Sequence, residues 1–214
     1  MAAHRPPYCG AMIESRSLQA GPNIPFSGVI RPRFILNVRT DDPFPRFGNG
    51  FVLGEWPDTI ITAGHVVRDA KHVLARAWTT EEGTSRAFEC VATAYDLERD
   101  LAVIKLPQSI QTNLDLEIHD YEGGEVALRA FVDIEAWRRR RVKWRPVAAT
   151  RSEGWIVYAS RYGEQGASGG TVIAGDEHAV VGVHRGRIRL DGLTKRGAAV
   201  CNHSVLAELR GAWK

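Results

Sequence analysis

The chain has 214 residues, of which 44% are hydrophobic, so it is long enough to bury one sizeable core or two closely packed ones. Lysine and arginine number 28 against 25 acidic residues, giving a net charge of +3 at pH 7. This small excess does not favour a nucleic-acid-binding protein, and the composition excludes disordered and fibrous chains.

Residues 1–26 are predicted to form a flexible arm, because they are rich in Pro, Gly and Ser and show little periodicity. They contain no continuous apolar segment of the kind found in secretion signals, and no later stretch is long enough to span a membrane. The three cysteines, an odd number without metal-ligand spacing, indicate neither a disulfide framework nor a metal site. We therefore expect a cytoplasmic protein, with non-classical export left open.

Residues 27–112 carry short β-branched and aromatic runs, separated by turn signals such as Asp-Pro, Gly-Asn and Pro-Asp. One helical turn is expected at 65–70. Several short strands at this spacing predict a β-barrel or a β-sandwich. The expected strands are 29–30, 34–38, 50–53, 59–62, 72–78, 87–95 and 101–106.

Residues 113–124 are predicted to link this first barrel to a second one at 125–202, because short β-branched and aromatic runs occur again there. Residues 203–214 are predicted to end the chain in a short helix, with Ser204 as a good N-cap residue. The expected strands of the second barrel are 125–131, 141–151, 153–160, 170–174, 179–184 and 198–201.

The positive charge is concentrated in Arg138–Arg145, which has six cations in eight residues. Like charges in a row are typical of a solvated loop or of an edge strand protected against aggregation. The other interpretation is a site for an acidic partner, a lipid or RNA. Binding that weakens as salt is raised would distinguish the two.

A glycine-rich turn surrounds Ser168, with Gly166 before it and Gly169 and Gly170 after it. Such a turn can adopt strained backbone angles and expose a hydroxyl group beside several amide N–H groups. A hydroxyl becomes a useful nucleophile only beside a base that is itself oriented by a carboxylate. His65, just after one β-rich run, and Asp100, just before another, are the candidates for these two roles.

The three segments, Thr-Ala-Gly-His-Val-Val at 62–67, Asp-Leu-Ala-Val-Ile-Lys-Leu at 100–106 and Gly-Ala-Ser-Gly-Gly at 166–170, resemble motifs of the trypsin-like serine peptidases, in the same order. The bacterial and HtrA-like branch is the most similar. The resemblance implies a chymotrypsin-like all-β fold of two antiparallel barrels with about six strands each. It also implies a His65, Asp100 and Ser168 triad, an oxyanion hole formed by the N–H groups of Gly166 and Ser168, and no metal or cofactor.

The same resemblance gives expectations about substrates, which would be proteins or peptides. Tyr162 stands where trypsin has an aspartate for Lys and Arg, so trypsin-like specificity is not expected. The segment Gly182-Val183-His184 resembles the pocket wall of glutamyl endopeptidases and picornavirus proteases, in which the histidine selects Glu or Gln. We therefore expect cleavage after Glu, Asp or Gln, with Arg185 favouring negative charge and Gln165 bordering the pocket.

Ala167 stands where secreted trypsins carry an aspartate that pairs with a newly cut N-terminus, so the site is expected to form without such cleavage. Two other functions fit the sequence: a catalytically silent binding module with a protease fold, and a β-barrel protein that binds acidic partners or nucleic acid through Arg138–Arg145. Few aromatic residues interleave the cations, which argues against nucleic acid. No pattern indicates a membrane partner or an oligomeric state.

Overall fold

The structure is a computed structural model that describes residues 36–40, 46–78, 85–107, 109, 116–131, 146–152, 154–158, 166–175, 178–190, 193–200 and 203–212. The predicted arm at residues 1–26, the predicted strand at 29–30 and the cationic run Arg138–Arg145 lie outside these residues.

The first half of the chain forms an antiparallel sheet in the order β5-β4-β1-β2-β3-β7-β6. Two adjacent apolar strands of this sheet, β3 and β7, are buried along almost their whole length and pair with Ile61 opposite Val103. A short helix, α1, follows β3 directly, where the sequence predicts a helical turn. The elements are β1 Leu36–Thr40, β2 Phe47–Val52, β3 Thr59–Ala63, α1 Gly64–Val67, β4 Val73–Trp78, β5 Ser85–Glu89, β6 Ala92–Asp96 and β7 Leu101–Lys105.

This sheet closes into a barrel because β5 and β6 are two parts of one long strand. Only Cys90 and Val91 separate them, and the N–H of Cys90 donates to Val73 of β4 while the N–H of Val91 donates to Lys105 of β7. The strand therefore bonds to β4 along its first part and to β7 along its second part. Counted as one, it gives the six-stranded barrel that the resemblance implied.

The second half forms a sheet in the order β12-β9-β10-β11-β14-β13-β8, and an additional β12 to β13 pairing closes it into a second barrel of six strands. The seventh strand, β8, has two residues, lies within the predicted linker and pairs in parallel with the start of β13. The elements are β8 Glu117–Ile118, β9 Gly124–Arg129, β10 Pro146–Ser152, β11 Trp155–Tyr158, β12 Thr171–Ala174, β13 Ala179–Leu190 and β14 Leu193–Val200.

The hairpin of β13 and β14 is longer than predicted. The sequence prediction ends the first of these strands at His184, but β13 continues to Leu190 past an irregularity between His184 and Gly186. The prediction stopped there because charged residues interrupt the apolar run. In the structure Arg187 and Arg189 are exposed while Ile188 between them is buried, so this part of β13 has the alternation of a half-buried strand.

The C-terminal helix α2, His203–Gly211, packs against β6 and β7 of the first barrel. Leu206 is fully buried in the same apolar core as β3 and β7, and the Arg210 guanidinium lies 3.2 Å from Asp58 and over the Trp56 ring. The predicted helix is therefore confirmed, and it packs on the first barrel. It begins at His203, so Ser204 lies within its first turn and is not the N-cap residue that the sequence predicted.

No helix within the described ranges is long and apolar enough to cross a membrane. Nor do three or more His, Cys, Asp or Glu side chains gather at one point in that part of the chain as a metal site would require.

Candidate active site

His65 lies where β3 turns into α1. Strand β3 is buried along its whole length and ends at Ala63, and α1 begins at the next residue. Val66 and Val67 are buried in the core, which holds the short helix in place, while the His65 side chain is 42% exposed. The fold thus presents this imidazole at the surface of the first barrel on a rigid support.

Asp100 faces His65 from the residue before β7 and is 2% exposed. Its φ of +54° is a left-handed conformation that aspartate adopts more readily than most residues. Oδ1 accepts from the backbone N–H of His65 at 2.8 Å, and Oδ2 lies 2.8 Å from His65 Nδ1. Because an ionised carboxylate only accepts hydrogen bonds, the proton belongs on Nδ1, and Nε2 keeps its basic lone pair.

Ser168 lies in the glycine-rich turn that precedes β12. Its Oγ donates to the backbone carbonyl of Arg185 on β13, at 3.3 Å. Among the described atoms, no hydrogen bond joins Ser168 to His65. The structure therefore brings His65 and Asp100 into direct contact, while the Ser168 hydroxyl is hydrogen-bonded to the backbone of β13.

Asn49 is a residue of this site that sequence reasoning missed. It is fully buried on β2, and its Nδ2 donates to the carbonyls of Phe131 at 3.0 Å and Gly166 at 2.9 Å, while its Oδ1 accepts from Phe131 N–H at 2.8 Å. Its backbone N–H also donates to the Ser168 carbonyl at 2.7 Å. Asn49 thus fastens the serine turn to the first barrel. The signal was present in the sequence, since an asparagine between two glycines interrupts an otherwise apolar strand.

The turn after Ser168 depends on Gly169. Its φ is +79°, and a Cβ at this position would lie 2.0 Å from the Asn49 carbonyl oxygen and 2.4 Å from Thr62 Oγ1. Two constraints, the backbone angle and the close approach of β2, therefore both require glycine here.

We expect Gly169→Ala to lower the free energy of unfolding by about 3 kcal/mol or more, because backbone of β2 would have to move to admit the methyl group. Gly154→Ala is the matched control, since Gly154 has a φ of +81° and a Cβ there would meet nothing within 4 Å. That variant should lose only about 1 kcal/mol, the cost of the left-handed backbone alone. Urea unfolding measures both, and equal losses would contradict the packing argument.

Gly166 and Ser168 present their backbone N–H groups at the start of the turn. Gly166 has a φ of +94°, and its carbonyl is held by Asn49. Neither N–H donates to another described residue. The turn therefore offers two amide donors beside the serine hydroxyl.

His184 is fully buried on β13 directly behind the serine turn. Its backbone carbonyl accepts from Gly169 N–H at 2.8 Å, and its N–H donates to the Gly170 carbonyl at 2.8 Å. The Tyr158 hydroxyl is hydrogen-bonded to His184 Nδ1, and the two rings are stacked with centroids 5.8 Å apart. Tyr158 is a second residue that sequence reasoning missed, because β11 and β13 lie on either side of β14 and come together only in the folded sheet.

Arg185 occupies a position that the sequence did not indicate. Its Nε lies 3.3 Å from Asp100 Oδ2, and its guanidinium lies over the Trp155 ring, 5.0 Å from the centroid. The side chain that was expected to favour acidic substrates thus touches the carboxylate that also holds His65. Its role toward substrate stays a prediction, and Tyr162 and Gln165, the other predicted pocket residues, lie outside the described residues.

A family model described as a trypsin-like peptidase domain matches residues 48–183. No curated protein is similar enough in sequence to count as a relative. The matched segment contains all three of His65, Asp100 and Ser168.

Several solved structures are similar in fold. A thermostable serine protease, AL20, from an extremophilic microorganism has a TM-score of 0.64 at 12% identity, covering 85% of this chain and 96% of that one. A human pathogenic astrovirus serine protease has a TM-score of 0.56 at 22% identity, covering 83% and 95%. An inactivated protease paralogue from the scabies mite has a TM-score of 0.62 at 18% identity, covering 85% and 95%. At these identities the likeness shows the fold alone.

Proposed function

Because the chain belongs to the trypsin-like peptidase family, we propose that it is a serine endopeptidase in which His65, Asp100 and Ser168 form the catalytic triad. The chymotrypsin-like fold of two barrels, predicted from the sequence, is confirmed. The observation that carries the proposal is the bond between His65 Nδ1 and the buried Asp100 carboxylate at 2.8 Å. This pairing gives the imidazole the tautomer that a general base needs.

In the proposed reaction Ser168 Oγ leaves the Arg185 carbonyl, donates its proton to His65 Nε2 and attacks the substrate carbonyl. Asp100 stabilises the imidazolium that forms, and His65 then protonates the leaving amine. The starting arrangement is compatible with this step, since hydrogen bonds between catalytic groups are often long or misaligned before substrate binds.

The N–H groups of Gly166 and Ser168 are the proposed oxyanion hole. Both are available, because neither donates to another described residue, and Asn49 holds the Gly166 carbonyl from the opposite side. Donors fixed in this way stabilise the negative charge of the tetrahedral intermediate without further reorganisation.

We also propose that His184 selects Glu, Asp or Gln before the cut. A Tyr158 hydroxyl that donates to His184 Nδ1 leaves the ring proton on Nε2. An imidazole fixed in this form is a hydrogen-bond donor suited to a side-chain carboxylate or amide.

A catalytically silent binding module is the second candidate. It is favoured by the serine hydroxyl, which bonds to the Arg185 carbonyl rather than to His65. The fold is compatible with it too, because an inactivated protease paralogue shares this fold.

The experiment that separates these candidates treats the purified full-length chain with a fluorophosphonate and with a peptide library, both read by mass spectrometry. We expect one adduct, on Ser168, and cuts after Glu, Asp or Gln. Heat-denatured protein is the control for the adduct, because an isolated serine hydroxyl is a poor nucleophile. No adduct together with no cuts would favour the silent module.

His184→Leu and Tyr158→Phe test the proposed role of His184 in the same library. We expect His184→Leu to reduce kcat/KM for acidic residues before the cut by about 100-fold, since a buried hydrogen-bond donor is lost, while fluorophosphonate labelling continues. Tyr158→Phe should weaken the preference for Glu, Asp and Gln without abolishing cleavage. Without the Tyr158 hydroxyl, the ring proton of His184 is no longer confined to Nε2. An unchanged cleavage profile in both variants would be consistent with the peptidase function but would contradict the proposal that His184 selects the residue before the cut.

A further inference from the structure

We propose that the positive charge of Arg185 slows the proton transfer to His65 by acting on the Asp100 carboxylate. We call this effect the brake, and it is released when an acidic group of the substrate draws the guanidinium away from Asp100. The proposal rests on the peptidase function above and adds a regulatory role within the same site.

The contact itself is direct. Asp100 Oδ2 is shared by two nitrogens, His65 Nδ1 at 2.8 Å and Arg185 Nε at 3.3 Å. Arg185 makes no other ion pair with a described residue. The permanently charged guanidinium of Arg185 therefore contacts the same oxygen that must stabilise the imidazolium of His65 during catalysis.

This cation opposes the chemical step. Two nitrogens that share one oxygen at these distances are at most about 6 Å apart, and like charges at that separation in a medium of dielectric constant about 20 change a rate by about 100-fold. Arg185 is 37% exposed, so solvent screens part of the repulsion, and we expect an effect on the order of tenfold.

Arg185 is also the more easily displaced of the two partners of Oδ2. Its contact with this oxygen is the longer one, at 3.3 Å against 2.8 Å for His65 Nδ1. Asp100 keeps three contacts with His65 without it, from the backbone N–H at 2.8 Å and from Nδ1 at 2.8 and 3.1 Å. Loss of the guanidinium therefore leaves the carboxylate oriented.

The position of Arg185 in the chain links the brake to substrate. The backbone carbonyl of Arg185 accepts the hydrogen bond from Ser168 Oγ at 3.3 Å. The Arg185 side chain therefore branches from the backbone next to the proposed nucleophile. Its guanidinium also lies over Trp155, which gives it apolar support while the charged edge stays accessible. An anionic group that reaches Ser168 passes within reach of this guanidinium, and a carboxylate is the partner that matches it best.

The test compares the wild type with Arg185→Gln, which removes the charge and keeps an N–H donor. Arg189→Gln is the matched control, because Arg189 is an exposed arginine of the same strand and makes no ion pair within the described chain. The probe is an uncharged alkyl fluorophosphonate, and the measured quantity is the rate of Ser168 labelling. We expect Arg185→Gln to label about tenfold faster than the wild type and Arg189→Gln to label at the wild-type rate.

Matched peptide substrates give the second readout. On a neutral peptide Arg185→Gln should raise kcat about tenfold, while on the same peptide with one glutamate beside the scissile bond kcat should change little and KM should rise. If the wild type is labelled and Arg185→Gln is labelled no faster, the brake is contradicted while the peptidase function is still supported. A slower Arg185→Gln would assign Arg185 a supporting role instead, and that also overturns the brake.

A third readout does not depend on turnover. The proton on His65 Nδ1 gives a resonance in proton NMR spectra that His65→Ala identifies by its loss. Removing the competing cation should strengthen the bond to Asp100 and move this resonance downfield in Arg185→Gln. An unchanged resonance contradicts the brake even if no variant is labelled, and an absence of labelling in every variant would overturn the peptidase function separately.

Discussion

Ser168→Ala should lower kcat on the best peptide substrate by about a million-fold, the loss that follows when the nucleophile of a triad is removed. The substitution deletes only Oγ, whose bond is to the Arg185 carbonyl at 3.3 Å. Because the backbone bonds of Ser168 to Asn49 remain, the free energy of unfolding should change by less than about 1 kcal/mol. Single-turnover cleavage and urea unfolding of the same sample measure the two effects.

Ser109→Ala is the control, since Ser109 is an exposed serine outside the site. It should retain full activity. Residual cleavage by Ser168→Ala above about one part in a thousand, with unchanged cut sites, would show that another group performs the attack.

Asp100→Asn should lower kcat by about ten-thousand-fold with the fold intact. The amide has the shape of the carboxylate. Its oxygen can still accept from the backbone N–H of His65, which lies 2.8 Å from Asp100 Oδ1 in the wild type. Its NH₂ group would then face His65 Nδ1, which must accept instead of donate. The ring proton moves to Nε2, so His65 can no longer take the proton of Ser168.

Asp69→Asn is the matched control for this variant. Asp69 is also an aspartate with a left-handed backbone, with φ of +57° against +54° for Asp100, but it is exposed and pairs with Arg68 and Tyr95. It should keep wild-type kcat. The kinetics are read at saturating substrate, and a loss of less than tenfold in Asp100→Asn would mean that Asp100 does not set the tautomer of His65.

Local patterns account for much of what could be predicted about the fold. Alternation of apolar and polar residues located most strands, and the apolar runs at 59–62 and 101–106 became the buried strands β3 and β7. The pattern failed where a strand carries charge on its exposed face, as in β13 after His184, because arginines at alternate positions resemble a loop.

The sequence by itself identified His65, Asp100 and Ser168 as candidates, since each lies in a short motif whose residues are neighbours in the chain. Strand periodicity located most of the strands, and the resemblance carried by the three motifs implied the two-barrel fold. Tertiary structure alone decided which distant groups meet: Asn49 with Phe131, 82 residues away, and Arg185 with Asp100. Both contacts join the first barrel to the second, so they depend on how the two barrels pack against each other, and this packing leaves no periodic signal in the sequence.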